Sequence, residues 1–351
     1  MTPVDPETIS VRPDEQLDTI KLEQFLMGRL AGASGAVTVR QFGGGHANLT
    51  YLLQFEDTEY VLRRPPLGPL VSSAHDMKRE HRVQSALSKS YPMAPNSFLY
   101  SSDTAIVGAE FHISERRHGI VIRSEIPEKF SGDAELNRRI GAMMIDTLSD
   151  FHAVDPRAVG LGELGHPEGF VQRQLNGWIK RWHKAKDRDL ADIEKLIRWL
   201  SSNVPVSDNV ALVHNDFKLD NLLVDRDDPA KPVALLDWDM CTRGDPLMDL
   251  GHMLNYWSQK DDDPEWQTVS SMPTWHDGFP SREEIIQHYA NRTGFDTSRF
   301  DWYLAFGVLK LAVIVQQIYL RYLRGQTQDQ RFAEFGERVA CLGRKGMFLI
   351  G

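Results

Sequence analysis

The chain has 351 residues, 41% of them hydrophobic and 25% charged, with a formal net charge of −9. That length and balance allow a large buried core, as one large domain or two smaller ones. The acidic balance argues against nucleic acid as the main partner, because phosphate backbones favour basic surfaces, but an anionic ligand can still occupy a local basic pocket.

The opening residues, MTPVDPETISVRPDEQLD, are acidic and broken by prolines, unlike a secretory signal. Short β-rich runs follow at 36–42 (AVTVRQF), 50–55 (TYLLQF) and 60–64 (YVLRR), separated by Gly or acidic turn residues. Residues 73–90 predict a helix opened by a capping box of Ser73 with Asp76, and a further strand-like run lies at 105–117. From about residue 131 the texture changes to long amphipathic helices at 133–153, 169–186 and 189–203. A hairpin-like region at 210–237 interrupts them, and helices resume to the end, with Ser281 and Glu284 forming another capping box.

The longest apolar run, LAFGVLKLAVIVQQIYL at 304–320, carries Lys310, Gln316 and Gln317. It reads as a buried core helix, since a membrane span needs about 20 mostly apolar residues. Cys241 and Cys341 lie far apart without metal-ligand spacing and read as two buried thiols of a reducing compartment. A cytoplasmic protein is expected, with neither a nucleic-acid nor a membrane partner. The simplest architecture is α+β and bilobal: a small β-rich lobe (1–115), a linker near 115–119 and a larger helical lobe (116–351), with a ligand in the cleft between them.

The chemistry concentrates in LVHNDFKLDNLLVD, residues 212–225. Phosphoryl transfer needs a cover for the nucleotide phosphates, a cation on them, metal ligands and a group that orients the attacking hydroxyl. Asp216 and Asn221 have the Asp-x4-Asn spacing of a kinase catalytic loop: the Asp accepts the hydroxyl proton and the Asn holds Mg²⁺ through its amide oxygen. Lys218 places positive charge on the migrating phosphoryl group. Taken alone, the segment also reads as a polar turn whose Asp and Asn cap their own backbone. Pairing of 222–225 with 233–236 would return Asp237 beside Asn221, a hard-oxygen pair suited to Mg²⁺. Asp237 could otherwise merely end a strand. Asp239 is an extra ligand or a group behind the ligands.

These phrases, with GGGHANLTY (43–51), YVLRRPP (60–66), REHRVQSAL (79–87), FHISERRHG (111–119), RQLNGWIKRW (173–182), LLDWDMCTRGDPLMDLGH (235–252) and FPSREEIIQHY (279–289), resemble the aminoglycoside phosphotransferase and choline kinase superfamily, which has a protein-kinase-like fold. Within it the chain is most similar to phosphotransferases related to the kinase-like domain fused to some acyl-CoA dehydrogenases. The resemblance spans nearly the whole chain in the expected order.

It implies a phosphate-covering loop at Gly43, Gly44 and Gly45, where the absence of Cβ lets backbone N–H groups approach phosphate, although a Gly triplet alone is also a plain turn. It places Arg63 where a kinase has its phosphate-binding lysine; guanidinium grips phosphate bidentately and keeps its charge. A solvated strand position is the alternative for Arg63, and strand alternation sends Arg64 to the opposite face. Glu80, on the apolar face of its helix with Val83 and Leu87, is the expected partner of Arg63. Glu115 and Arg116 resemble the hinge that meets adenine through backbone groups. His214 and Asp249 are expected to brace the catalytic turn, and Asn215 to tolerate left-handed backbone geometry.

Only eleven residues separate Asp237 from Asp249, too few for a peptide-seating activation segment, so the resemblance implies a small-molecule acceptor. The expected cofactors are ATP and Mg²⁺. The subgroup implies a hydroxyacyl-CoA or related hydroxy acid. An aminoglycoside, choline or another amino alcohol is the alternative, for which the acidic run KDDDPEW (260–266) would suit a polycation. A basic helix face at Arg173, Lys180, Arg181 and Lys184 could meet an anionic CoA or simply face solvent. A catalytically silent ATP-binding scaffold is the reading from another class; retention of Asp216, Asn221 and Asp237 argues against it.

Overall fold

The computed structural model describes residues 7–43, 48–66 and 76–351. Six strands, β1 (Thr8–Ile9), β2 (Thr38–Phe42), β3 (Leu49–Gln54), β4 (Glu59–Arg64), β5 (Ser97–Ser101) and β6 (Phe111–Glu115), form one antiparallel sheet in the order β1-β2-β3-β4-β6-β5. The alternation in β4 sorts its side chains by face. Tyr60 and Leu62 enter a core with Leu22 and Leu26 of helix α1 (Thr19–Leu26), Tyr51, Phe111 and Ile113. Val61 and Arg63 face the other way, into a cavity of about 530 Å³.

Helix α2 (Met77–Leu87) begins later than the sequence pattern predicts. Asp76 is its N-cap and accepts from the Arg79 N–H at 2.9 Å. Ser73, and with it the predicted capping box, lies outside the described residues. Both residue types are good caps, so local chemistry alone does not choose between them. The run at 105–117 is not one strand: a one-turn helix α3 (Thr104–Val107) comes first, ended by Gly108 in left-handed geometry at φ 82°, and β6 follows. Strand β5 was not expected from the sequence, since an irregularity between Ser97 and Leu99 blurs its alternation.

The rest is mainly helical: α4 (Ala134–His152), α5 (Phe170–Ala185), α6 (Ala191–Ser202), α7 (Leu247–Tyr256), α8 (Pro264–Gln267), α9 (Arg282–Thr293), α10 (Phe300–Leu323) and α11 (Phe335–Ile350). The fold is the α+β arrangement expected, an antiparallel sheet followed by a larger helical part. Val83 and Leu87 of α2 join the helical core, so the two parts share an apolar contact rather than a bare linker. The capping box of α9 forms as its sequence predicts: the Glu284 N–H donates to Ser281 Oγ at 3.2 Å, and the Ser281 N–H to Glu284 Oε2 at 2.7 Å.

Helix α10 is long and apolar enough to cross a membrane by length and composition, yet 61% of its most apolar stretch is buried inside the protein. It packs against α5, α6, α7 and α11. Cys241 and Cys341 are both buried and unpaired.

Short strands hold the site between the helices: β7 (Ile120–Val121), β8 (Ala211–Val213), β9 (Leu222–Val224), β10 (Pro232–Leu235) and β11 (Thr242–Gly244). The expected hairpin is present, with Leu222 opposite Leu235 and Leu223 opposite Ala234. It returns the chain so that Asn221 and Asp237 line the same cavity.

Candidate active site

The turn after β8 is gripped through its backbone. Asp249, buried at the start of α7, accepts the N–H groups of both His214 and Asn215, the latter at 2.6 Å. Burial pushes the Asp249 carboxyl up, but hydrogen bonds and charge from His152, with His214, outweigh it and hold the group below the usual carboxylate range. His214 braces from within, its Nδ1 accepting the Asp216 N–H at 3.3 Å and its Nε2 meeting the Leu236 carbonyl at 2.9 Å. Asn215 adopts φ 69°, the left-handed region that Asn tolerates better than most residues.

This frame presents three side chains to the cavity. Lys218 Nζ lies 3.1 and 3.0 Å from the two carboxylate oxygens of Asp216. Burial draws the Lys218 ammonium down, and the Asp216 carboxylate more than reverses it, so the lysine stays charged. Asn221 Nδ2 donates to the Asp216 carbonyl at 2.8 Å and to its Oδ2 at 2.9 Å. Those bonds use the nitrogen of the amide and leave its oxygen uncommitted to them.

Arg63 connects the sheet to this turn. One guanidinium nitrogen lies 2.8 Å from Glu80 Oε1, the other 2.8 Å from Asp237 Oδ1. Glu80 is fully buried, as its place on the apolar face of α2 implies, and His112 Nε2 approaches its second oxygen at 3.3 Å. Burial pushes Glu80 up, and Arg63 and then His112 overcome it to keep the carboxyl below its ordinary value. The same balance of burial against Arg63 depresses Asp237. Arg64 points to the opposite face as alternation requires, bonding the Tyr51 hydroxyl and the carbonyls of Glu15 and Val107.

Asp237 and Asn221 fit Mg²⁺ by donor type: both offer hard oxygen, and Asp237 is held at φ 67°. Burial, Asp237 and Glu80 push Asp239 up to about 7, although Asn48 donates to its Oδ2 at 3.3 Å. A cation near Asp237 would relieve that crowding. Among the described residues no group of three His, Cys, Asp or Glu could hold a metal ion alone.

The residues expected around the nucleotide are placed unevenly. Gly44 and Gly45 lie outside the described residues. Gly43 follows the end of β2, and its N–H is donated to the Glu7 carbonyl at 3.4 Å. Glu115 and Arg116 both line the cavity. The Glu115 N–H is committed to the Asn96 carbonyl at 2.8 Å and its carboxylate to Asn96 and Arg117, so this amide is not a free hinge donor. The Arg116 guanidinium lies over the Phe42 ring, 4.9 Å from its centroid.

Sequence reasoning missed His112, Asn48, Arg123 and Asp220. The first two touch Glu80 and Asp239; the others line the cavity. Asp220 sits inside the motif and could have been noticed; a lone His in a strand carries no pattern.

A sequence model of the phosphotransferase enzyme family matches residues 38–302. Acyl-CoA dehydrogenase family member 11 of Gallus gallus is 34% identical over 99% of this chain, which spans 45% of that relative's length. A solved Ralstonia eutropha structure classed with the aminoglycoside phosphotransferases is 26% identical, with a TM-score of 0.81, over 95% of this chain and 98% of that one. A spectinomycin phosphotransferase crystallised with ADP and spectinomycin shares the fold alone, at 14% identity and a TM-score of 0.58, over 96% of this chain and 99% of that one. The chain belongs to the phosphotransferase enzyme family and is a phosphotransferase of kinase-like fold.

Proposed function

We propose that the chain is an ATP- and Mg²⁺-dependent small-molecule kinase that transfers the γ-phosphoryl group to the hydroxyl of a hydroxyacyl-CoA or related hydroxy acid. The observation that carries this reading is the meeting of Arg63, from the sheet, with Asp237 in a cavity also lined by Asp216, Lys218 and Asn221. Asp216 accepts the proton as the acceptor oxygen bonds to phosphorus and the bond to the leaving ADP oxygen breaks. Lys218 and Arg63 supply positive charge to the phosphates, and Glu80 orients Arg63. Asn221 and Asp237 would hold Mg²⁺, which when bound neutralises charge on the phosphate oxygens.

Two observations support an acyl-CoA-like acceptor. The matched Gallus gallus relative is named an acyl-CoA dehydrogenase family member. Lys218, 3.0 Å from Asp216, lies over the Tyr256 ring at 5.3 Å, setting a cation and an apolar ring beside the proposed proton acceptor. The acidic run that would suit a polycation lies elsewhere. Asp262 is held by Arg282, Asp263 caps α8, and the loop lines a separate cavity of about 510 Å³.

Incubation with ATP, Mg²⁺ and a panel of 3-, 4- and 5-hydroxyacyl-CoAs, their free acids, choline and aminoglycosides, read by mass spectrometry, tests the reading. A phosphate mass gain on a hydroxyacyl-CoA or hydroxy acid is expected. Gain only on choline or an aminoglycoside refutes the acceptor, and ATP binding without any gain favours the silent scaffold. Asp237→Ala is expected to move the Mg²⁺ dependence of ATP binding about tenfold or more to higher concentration. An unchanged titration would remove Asp237 from the metal site.

A further inference from the structure

Lys310 stands in the middle of the most apolar run of the chain, where packing alone has no use for a cation. It is 5% exposed, and its Nζ donates to the backbone carbonyl of Asn215 at 2.7 Å. Asn215 immediately precedes Asp216 and holds the left-handed φ of 69°, a conformation that Asn adopts more readily than most residues. Its peptide groups are gripped from two helices. Asp249 of α7 accepts its N–H at 2.6 Å, Lys310 of α10 donates to its C=O, and its side-chain Nδ2 donates to the Met240 carbonyl at 3.0 Å.

The two helices that supply this grip are locked backbone to backbone. A Cβ added at Gly307, three residues before Lys310, would lie 2.6 Å from the Gly251 carbonyl oxygen and 2.1 Å from Asn255 Nδ2. A Cβ at Gly251, two residues after Asp249, would lie 2.6 Å from the Tyr303 carbonyl oxygen. Asn255 Nδ2 bridges the contact, donating to Gly251 O at 2.7 Å and Leu304 O at 3.2 Å. Only glycines permit this approach, so the spacing between the Asp249 and Lys310 ends of the grip is set by the α7–α10 contact.

We propose that Lys310 is a positioning residue for phosphoryl transfer, clamping the Asn215 carbonyl from α10 while Asp249 clamps the N–H from α7, so that the Asp216 carboxylate is aimed at the acceptor hydroxyl. This rests on the reading of Asp216 as the proton acceptor. A purely stabilising role is a poor account of the lysine, because well-packed apolar residues commonly equal or exceed buried charged groups in stability. Burial draws its ammonium down to about 8, against the pull of Asp216 and Asp249, so a cation is kept here at an energetic penalty.

The test uses the full chain with Lys310→Met and Lys310→Gln, and Asp216→Asn alongside. Lys310→Met is expected to lower kcat about 10²-fold, the effect of a small misplacement of a reacting group. The KM for both substrates and the thermal midpoint should stay near wild type. Gln retains an N–H donor without the charge, and Lys310→Gln should recover at least about tenfold of the kcat lost in the Met variant. Wild-type kcat in Lys310→Met overturns the proposal. So does a fall accompanied by a matching loss of thermal stability or ATP affinity, or a Gln variant no better than Met. If Asp216→Asn keeps the wild-type rate, the underlying reading fails and the clamp falls with it; if only the Lys310 variants behave otherwise, that reading stands.

Discussion

Asp216→Asn is expected to lower kcat about 10²–10⁴-fold, the range for loss of a positioned general base, while ATP affinity changes by less than about threefold. The substitution keeps the size of the side chain and one carbonyl oxygen, so Lys218 and Asn221 Nδ2 can retain a partner where they now meet carboxylate oxygens at 2.9–3.1 Å. What it removes is the group that takes the acceptor proton. The nucleotide-side contacts proposed for Arg63, Asn221 and Asp237 are left in place, which separates kcat from ATP binding. Steady-state kinetics beside ATP calorimetry reads both quantities. A turnover within about threefold of wild type would show that Asp216 is not the proton acceptor.

How much of this site could be read in advance follows from where each residue finds its partner. Asp216, Lys218 and Asn221 lie on one turn, so their spacing carries their proximity. Arg63 was suggested by the family resemblance, with strand alternation separating it from Arg64, and Glu80 by the helical face it shares with Val83 and Leu87. Asp237 needed only a short hairpin. Lys310 and Arg64 meet carbonyls 95 and 43 residues away, and no local pattern announces such a contact. Lys310 still left one trace, a cation inside an apolar run. The start of α2 is a different case, because Ser73 and Asp76 are equally good caps and local chemistry does not choose between them. Gly43 and Glu115 are a third case: residue type and order say nothing of the partners their backbone N–H groups find in Glu7 and Asn96.

The second large effect concerns stability as well as activity. Arg63→Met is expected to destabilise the protein by about 3–5 kcal/mol, the usual consequence of removing one partner of a buried ion pair. Glu80 is fully buried and would keep only His112, at 3.3 Å, as a polar partner in place of the guanidinium. Adding Glu80→Gln should restore most of that stability, since the stranded charge disappears, but not ATP affinity, since the guanidinium proposed to meet phosphate is still missing. Denaturant melts and calorimetry on the two single variants and the double variant give the cycle. The pH dependence supplies an internal check. With Arg63 present, Glu80 is held below its ordinary value, so the pair contributes stability above that value and loses it as pH falls through the depressed one. Without Arg63, burial dominates and drives Glu80 upward, so the variant recovers as the carboxyl takes up a proton. The stability gap between wild type and Arg63→Met should therefore narrow as pH falls from neutrality towards the acid range. A gap that stays constant over that range would mean that Glu80 is not left as a stranded charge, and that Arg63 contributes packing rather than the charge that holds the two halves of the site together.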